Sequence, residues 1–220
     1  MRYDFREKAV EGGLAALALL SLAVLAGIVF YLFREGLPVF ASTGFLDFVF
    51  GTDWYPVGDQ PDFEIGSLIA GSLAVTFLAS LFAVPLGLMT AAYLSEVAAN
   101  TTRRIIKPFI ELLAALPSVV IGFIGMVLVA PWLQNTLGIA TGLNLFNAAL
   151  MLAFMAVPTI CSIAEDALHA VPRSLKDASL ALGATPWETL KNVTFPYALS
   201  GVGTAVMLGM SRALGETMVV

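Results

Sequence analysis

The chain has 220 residues, of which 59% are hydrophobic and only 12% are charged. This composition, with a mean hydropathy of +0.89, lies far above the apolar share of soluble domains and predicts an all-α membrane protein. The net charge of −5 and the lack of a basic tail give no indication of nucleic-acid binding.

Segments without Asp, Glu, Lys or Arg mark the predicted membrane helices. Because roughly 20 apolar residues cross a bilayer, the segments from Gly12 to Phe33 and from Ile65 to Ser95 each accommodate one helix. The segment from Leu112 to Ala164 accommodates two, since a polar, turn-prone interval divides it, and Asn192 to Ser211 accommodates a fifth. The sequence therefore predicts a polytopic transmembrane bundle of about five helices, near residues 12–33, 66–94, 112–131, 146–164 and 197–216.

The Lys and Arg residues that flank these helices indicate their orientation, because cytoplasmic loops are enriched in both residues. They form three groups that the five-helix scheme places on one side: Arg2, Arg6 and Lys8, then Arg103, Arg104 and Lys107, then Arg173, Lys176 and Lys191. The opposite side has an acidic loop. We therefore predict that residues 1–64 form a cytoplasmic tail, an anchor helix and an acidic periplasmic loop, and that residues 65–220 form the transmembrane domain.

A hairpin of two short helices is predicted on the cytoplasmic side, over about residues 165–196. Ser174 followed by Asp177 resembles a capping box, in which a hydroxyl and an acid satisfy the start of a helix. Gly183 can adopt the left-handed conformation that ends helices. The run Thr185-Pro186-Trp187-Glu188 then predicts a second helix start, with Thr185 as its cap.

The same hairpin resembles the EAA loop of the permease subunits of ABC importers. That loop has the pattern Glu-Ala-Ala, three residues, Gly, nine residues, then Ile, any residue, Leu-Pro. The present chain keeps every spacing with Asp177-Ala178-Ser179, Gly183 and Val193-Thr194-Phe195-Pro196, and its replacements are conservative. Since the loop of the family docks on a cytoplasmic ATPase, the resemblance implies seven coupling residues: Ser174, Asp177, Ala178, Gly183, Pro186, Glu188 and Pro196.

Further motifs resemble the permeases of the Pst-type phosphate importers. They are Leu116-Pro117-Ser118-Val119-Val120-Ile121-Gly122-Phe123, Val171-Pro172-Arg173-Ser174-Leu175, Ala181-Leu182-Gly183-Ala184-Thr185 and Arg212-Ala213-Leu214-Gly215-Glu216-Thr217. The run Gly51-Thr52-Asp53-Trp54-Tyr55-Pro56, in a long outer loop, favours a PstC-like over a PstA-like subunit. The resemblance implies a MetI-like permease fold, and at least one further helix after Val220.

The resemblance also implies a function and a set of partners. This chain would be the permease subunit of an ATP-driven phosphate importer in a bacterial or archaeal cytoplasmic membrane. Its partners would be a dimer of cytoplasmic ABC ATPases, a PstA-like second permease subunit, an extracytoplasmic phosphate-binding protein and membrane lipid. ATP and Mg would be bound by the ATPases, with no cofactor in this chain.

Arg212 and Glu216 are the candidate residues of the substrate pathway. They are four positions apart, so on one helix they would stack and pair. Gly201, Ala205 and Gly209 fall on the same face and predict close helix approach. Because a charge at membrane depth costs at least about 2.5 kcal/mol, we expect the pair to face protein, where the guanidinium suits an oxyanion. The alternative is that both residues lie near the outer interface and reach water.

Several activities have no motif in this sequence. The chain has no Gly-x-x-x-x-Gly-Lys-Ser/Thr motif, so we predict no ATPase site of its own. The single cysteine and the single histidine, His169, have no partners at metal-ligand spacing, and no catalytic residues are predicted. Glu96 marks the end of the second helix. Two alternatives stay open: a permease for phosphonate, molybdate or sulfate, and an ATP-independent channel or carrier.

Overall fold

The computed structural model describes residues 2–57 and 61–217. The chain divides into two compact units, residues 1–70 and 71–220. Helices form most of both units, as the composition predicts.

The first unit begins with a long apolar helix and continues into the outer loop. Its elements are α1 (Arg2–Gly36), α2 (Val39–Ser42), α3 (Phe45–Phe50), β1 (Trp54–Tyr55) and β2 (Asp62–Phe63). The two strands pair antiparallel, with Trp54 opposite Phe63. The carboxylate of Glu64 accepts a hydrogen bond from the backbone N–H of Asp53 at 2.8 Å. The loop predicted before residue 65 therefore has local structure of its own.

Two predicted membrane helices are found close to their expected places. Helix α4 (Gly66–Ala92) continues into a π-helical turn, Tyr93–Val97. Helix α8 (Leu145–His169) begins where the side chain of Asn144 caps it by accepting the N–H of Asn147 at 3.0 Å. It runs five residues past its predicted end at residue 164, because the acidic residue that follows is paired inside the protein.

The third predicted helix, near residues 112–131, is wrong in its boundaries. The chain forms α5 (Asn100–Ala114), breaks, and resumes as α6 (Ser118–Ile124). The break has a local cause, because Pro117 has no N–H to donate and disfavours helical geometry at Leu116. After α6 come a π-helical turn, Gly125–Val129, and α7 (Ala130–Leu137), which ends at Gly138 with a φ of 65°.

The last predicted helix, near residues 197–216, is shorter than expected and bent away from the segment before it. The elements are α9 (Arg173–Ala181), α10 (Pro186–Thr189), a π-helical turn (Leu190–Thr194), α11 (Phe195–Tyr197) and α12 (Leu199–Leu214). The segment Pro186–Tyr197 meets α12 at 74°. Among the described residues, four helices are long and apolar enough to cross a membrane, or five if this bent pair counts as one span.

Helix α8 is the centre of the second unit, and α12 packs closely along it. A Cβ at Gly209 would lie 2.3 Å from Cγ1 of Ile160, and one at Gly201 would lie 2.5 Å from Cβ of Ala167. Ala205 is fully buried between them. The predicted stripe of small residues is therefore confirmed as the contact that brings α12 against α8.

Replacement of Gly209 by Val is expected to destabilise the protein, because its side chain would overlap Ile160. Overpacking of this kind costs about 1–3 kcal/mol. The measurement is the apparent melting temperature of the purified protein in detergent. The matched control is Gly203→Val on the same helix, where the space around the glycine is open among the described residues. Equal melting temperatures for the two variants would contradict the packing described above.

Candidate coupling and translocation sites

The first helix of the hairpin, α9, begins differently from its prediction. It starts at Arg173 after Pro172, and within the described residues no side-chain hydrogen bond caps it. Ser174 lies inside the first turn, where its hydroxyl is no longer in the capping position. The predicted capping box of Ser174 and Asp177 is therefore wrong, because Pro172, with its preset φ, starts the helix two residues earlier.

The turn and the second helix start are confirmed. Gly183 has a φ of 87°, the left-handed conformation that ends α9. Thr185 caps α10: its Oγ1 accepts the N–H of Glu188 at 3.3 Å, and its own N–H donates to Glu188 Oε2 at 2.7 Å. Pro186 occupies the first helical position. This reciprocal pair of bonds fixes the start of α10 directly after the turn.

The tip of the hairpin presents apolar side chains to the outside. Leu182 is 90% exposed and Trp187 is 70% exposed, and they flank Gly183. All seven residues predicted for coupling are exposed: Ser174, Asp177, Ala178, Gly183, Pro186, Glu188 and Pro196. We call Leu182, Gly183 and Trp187 the docking tip. Large apolar side chains at the end of a rigid, capped hairpin are typical of a protein contact surface.

The base of the hairpin is fastened to the ends of α4 and α8 by a lysine. Lys176 Nζ lies 2.6 Å from Glu96 Oε1 and donates to the carbonyl of Leu168 at 3.5 Å. Ser95 donates to the same Glu96 oxygen at 3.0 Å. A cavity of about 640 Å³ lies beside this contact, between the hairpin and the two helix ends. Glu96, which the sequence marked only as a helix end, thus holds the hairpin in place.

A second group of charges joins α5 to α8, and sequence reasoning missed it. Glu165 is 1% exposed, and its oxygens lie 2.5 Å from Arg103 Nη2 and 2.7 Å from Lys107 Nζ. Lys107 also pairs with Asp166. Arg103 donates to the imidazole of His169, 2.9 Å from Nε2. We call these five residues the charge cluster.

The charge cluster favours the protonated form of Lys107. Burial by itself lowers the pKa of Lys107, but its hydrogen bonds to Asp166 and Glu165, together with their negative charges, outweigh burial and raise that pKa above its ordinary value. The buried carboxylate of Glu165 is therefore matched by two cations. One signal of the cluster is visible in the sequence, because Arg103 and Lys107 are four positions apart and share a helix face.

Arg212, in the last turn of α12, contacts the end of α5. Its Nη2 donates to the carbonyl of Ala114 at 3.0 Å. Ala114 is the last residue of α5, where carbonyls lack helical partners and a cation is stabilised. Helix α12 ends at Leu214, two residues before Glu216. The predicted stacking of Arg212 and Glu216 on one helix face is therefore wrong, because Gly215 ends the helix between them.

A buried amide supports the span formed by α6, the π-helical turn Gly125–Val129 and α7. Asn147, in α8, donates from Nδ2 to the carbonyls of Gly125 at 3.0 Å and Gly142 at 3.1 Å. Gly125 is the first residue of the π-helical turn, so this side chain ties the turn to α8. A largely apolar cavity of about 630 Å³ lies beside it. Within the described residues, no cluster of His, Cys, Asp and Glu could hold a metal ion.

Comparison with known proteins identifies the family. Residues 83–220, more than half of the chain, match the family described as binding-protein-dependent transport system inner membrane component. The chain belongs to that family. The match covers α5, α8, the hairpin and α12, so the geometry described above is that of a binding-protein-dependent permease. As a family member the chain is a membrane component of an importer rather than its ATPase.

Curated relatives of this permease extend the similarity to almost the whole chain. It is 39% identical over 207 residues to a probable ABC transporter permease protein, YqgH, of Bacillus subtilis. The aligned region covers 93% of this chain and 67% of the relative. It is 35% identical over 224 residues to the phosphate transport system permease protein PstC of Mesorhizobium japonicum, and this alignment covers 93% of this chain and 68% of the relative. The chain thus spans about two thirds of their length. The resemblance to PstC-like permeases is confirmed.

A solved structure confirms the fold. The permease is similar to a chain in an inward-facing structure of the MetNI methionine ABC transporter, with a TM-score of 0.59 and 25% identity. The similarity covers 69% of this chain and 72% of that chain. The predicted MetI-like helix bundle is therefore confirmed, and so is the prediction that the protein crosses the membrane several times.

Proposed function

We propose that this permease is the PstC-like subunit that moves inorganic phosphate through an ATP-driven importer. The single observation that carries the proposal is the 35% identity to a phosphate permease over 93% of this chain. The chemistry at the end of α12 supports it. Arg212 supplies a guanidinium, which is the side chain that matches an oxyanion with two parallel hydrogen bonds.

The bend before α12 supports a place for Arg212 within the membrane. Leu199 begins α12 after the 74° bend, and Arg212 is 13 residues further on. That distance is about 20 Å along a helix, which is less than the hydrocarbon thickness of about 30 Å. If the bend lies at the cytoplasmic interface, the guanidinium lies inside the bilayer span. A cation at that depth calls for a partner, and an anion in transit would be one.

The carbonyl of Ala114 gives Arg212 a partner between passages. A neutral carbonyl holds a guanidinium less strongly than an anion does, because bonds to ionised groups are roughly twice as strong. Phosphate would therefore compete well with the carbonyl for the guanidinium. We propose that Glu216, just beyond the end of α12, limits how long the anion is held, through its negative charge near the path.

The hairpin supports the proposed energy source. We assign the docking tip to the contact with a dimer of cytoplasmic ABC ATPases, which would bind ATP and Mg. The seven coupling residues are exposed along the hairpin, and the Lys- and Arg-rich regions favour a cytoplasmic side for the hairpin and the N-terminus. A PstA-like second permease subunit and an extracytoplasmic phosphate-binding protein would complete the assembly in a bacterial or archaeal cytoplasmic membrane.

The cargo is tested by uptake into proteoliposomes that contain the assembled importer. We expect ATP-dependent uptake of radioactive phosphate, and weak competition by sulfate, molybdate and phosphonate. The control omits the ATPase. Stronger uptake of another oxyanion would identify that anion, and not phosphate, as the cargo. Uptake that persists without the ATPase would favour a channel or carrier.

A further inference from the structure

We propose that α5 is a lever that transmits movement of the hairpin to Arg212, and that Glu165 is the positioning residue at its fulcrum. The proposal rests on the proposed function, since it explains how movement at the docking tip reaches the substrate pathway. Three contacts carry it: one just before α5, one near its start and one at its end.

The first contact is the input. Lys176 of α9 pairs with Glu96 at 2.6 Å, and Glu96 is four residues before the start of α5 at Asn100. The backbone between them is extended, with ψ values of 135° at Ala98 and 148° at Ala99. A shift of the hairpin therefore pulls directly on the chain that enters α5.

The second contact is the fulcrum. Arg103 and Lys107 are one helical turn apart, and both reach the buried carboxylate of Glu165 on α8. A buried carboxylate that loses its cations is strongly unfavourable, so this point of α5 stays fixed to α8 while other points move. Helix α8 also packs tightly on α12 through Gly209 and Ile160. The fulcrum and Arg212 therefore belong to one packed body.

The third contact is the output. Ala114 ends α5, and its carbonyl accepts the hydrogen bond from Arg212 at 3.0 Å. The break at Leu116 and Pro117 separates α5 from α6, so the end of α5 is free to move without α6. From Lys107 to Ala114 the helix rises about 10 Å, whereas from Asn100 to Arg103 it rises about 4.5 Å. The output arm is the longer one, so a small pull becomes a larger displacement at Arg212.

The hydrogen bond at the output is suited to switching. A donor–acceptor distance of 3.0 Å is within the normal range, and an additional 1 Å takes it outside that range. Helix shifts of about 1–2 Å are common in allosteric transitions. Movement of the hairpin would thus release the guanidinium from Ala114 and make it available to the anion.

The test uses the assembled importer with Glu165→Gln, which keeps the shape of the side chain and removes its charge. We expect phosphate uptake per ATP hydrolysed to fall about tenfold, and Glu165→Asp to restore part of it. The matched control is Glu111→Gln on α5, whose side chain is exposed, and we expect it to leave the uptake per ATP hydrolysed unchanged. If uptake and ATP hydrolysis fall in the same proportion, Glu165 has a structural role alone and the proposal is overturned.

A distance measurement tests the lever without reference to the cargo. Spin labels at Leu112→Cys on α5 and Met207→Cys on α12, with Cys161 replaced by Ala, report on the output arm. We expect the distance to change by about 2 Å between the nucleotide-free and ATP–vanadate states, and the change to disappear in Glu165→Gln. Should that variant fail to assemble, Lys107→Gln takes its place and is expected to reduce the change.

These two readouts separate the lever from the proposed function. If the importer carries no phosphate but keeps the Glu165-dependent distance change, the assignment of phosphate is overturned and the lever is supported. An importer that carries phosphate with an unchanged distance overturns the lever and leaves the cargo standing.

Discussion

Replacement of Arg212 by Gln is expected to lower phosphate uptake by the assembled importer about 100-fold, which corresponds to about 2.7 kcal/mol. The loss follows from the chemistry of the side chain, because Gln keeps one hydrogen bond but has neither the charge nor the forked geometry of a guanidinium. Arg212→Lys keeps the charge as a point on a flexible stem and should recover only part of the uptake. The measurement is the initial rate of radioactive phosphate uptake over a range of concentrations.

A second arginine provides the control for this experiment. Arg104 is exposed on α5, so Arg104→Gln removes the same charge outside the proposed pathway. We expect it to leave uptake close to that of the unmodified importer. Uptake that is unchanged in Arg212→Gln, with normal assembly and ATP hydrolysis, would remove Arg212 from the pathway.

Replacement of Trp187 by Ala is expected to weaken the association of the ATPase with the permease about 30-fold, or about 2 kcal/mol. Trp187 is 70% exposed on the docking tip, and large aromatic side chains of this kind dominate the binding energy of protein interfaces. Leu182→Ala should act in the same direction with a smaller effect, because less apolar area is lost. The measurement is the amount of ATPase retained by the purified permease as the ATPase is diluted.

The chain offers a matched control for this variant as well. Trp132 in α7 is 60% exposed, so Trp132→Ala removes the same side chain from a position that is not part of the hairpin. We expect it to retain the ATPase fully. If both tryptophan variants lose the ATPase alike, the loss reflects general destabilisation, and the docking tip would not be the contact.

Local chemistry explains what the sequence predicted correctly. Gly183 and the capping box at Thr185 depend on residues within a few positions of each other, so their types and spacing were sufficient. The close approach of another helix at Gly209 followed from helical period and residue size, although its partner α8 was not predicted. The assignment to the permease family depended on motif spacing, and comparison with known proteins confirmed it.

The errors arose where a longer-range effect decided the outcome. Helix α8 was predicted to end before Glu165 because the segment without charged residues ends at Ala164. The partner of Glu165, Lys107, is 58 residues away, and no pattern in the sequence pairs them. The third helix was placed by hydropathy alone, which overlooked the amphipathic α5 and the break at Pro117. Ser174 was a plausible cap in isolation, and Pro172 changed where the helix begins.

The π-helical turns make the packing of the helices that follow them sensitive to the number of residues in the chain. In the described part of the chain they are Tyr93–Val97, Gly125–Val129 and Leu190–Thr194. Each such turn holds an additional residue within a helix. Deleting one residue from the third turn would rotate the helical segment after it by about 100° and shift that segment by about 1.5 Å along its axis. Gly209 would then no longer face Ile160. The number of residues between Gly183 and Arg212 thus sets the angular phase between the docking tip and the guanidinium, and this interval should tolerate substitutions far better than insertions or deletions.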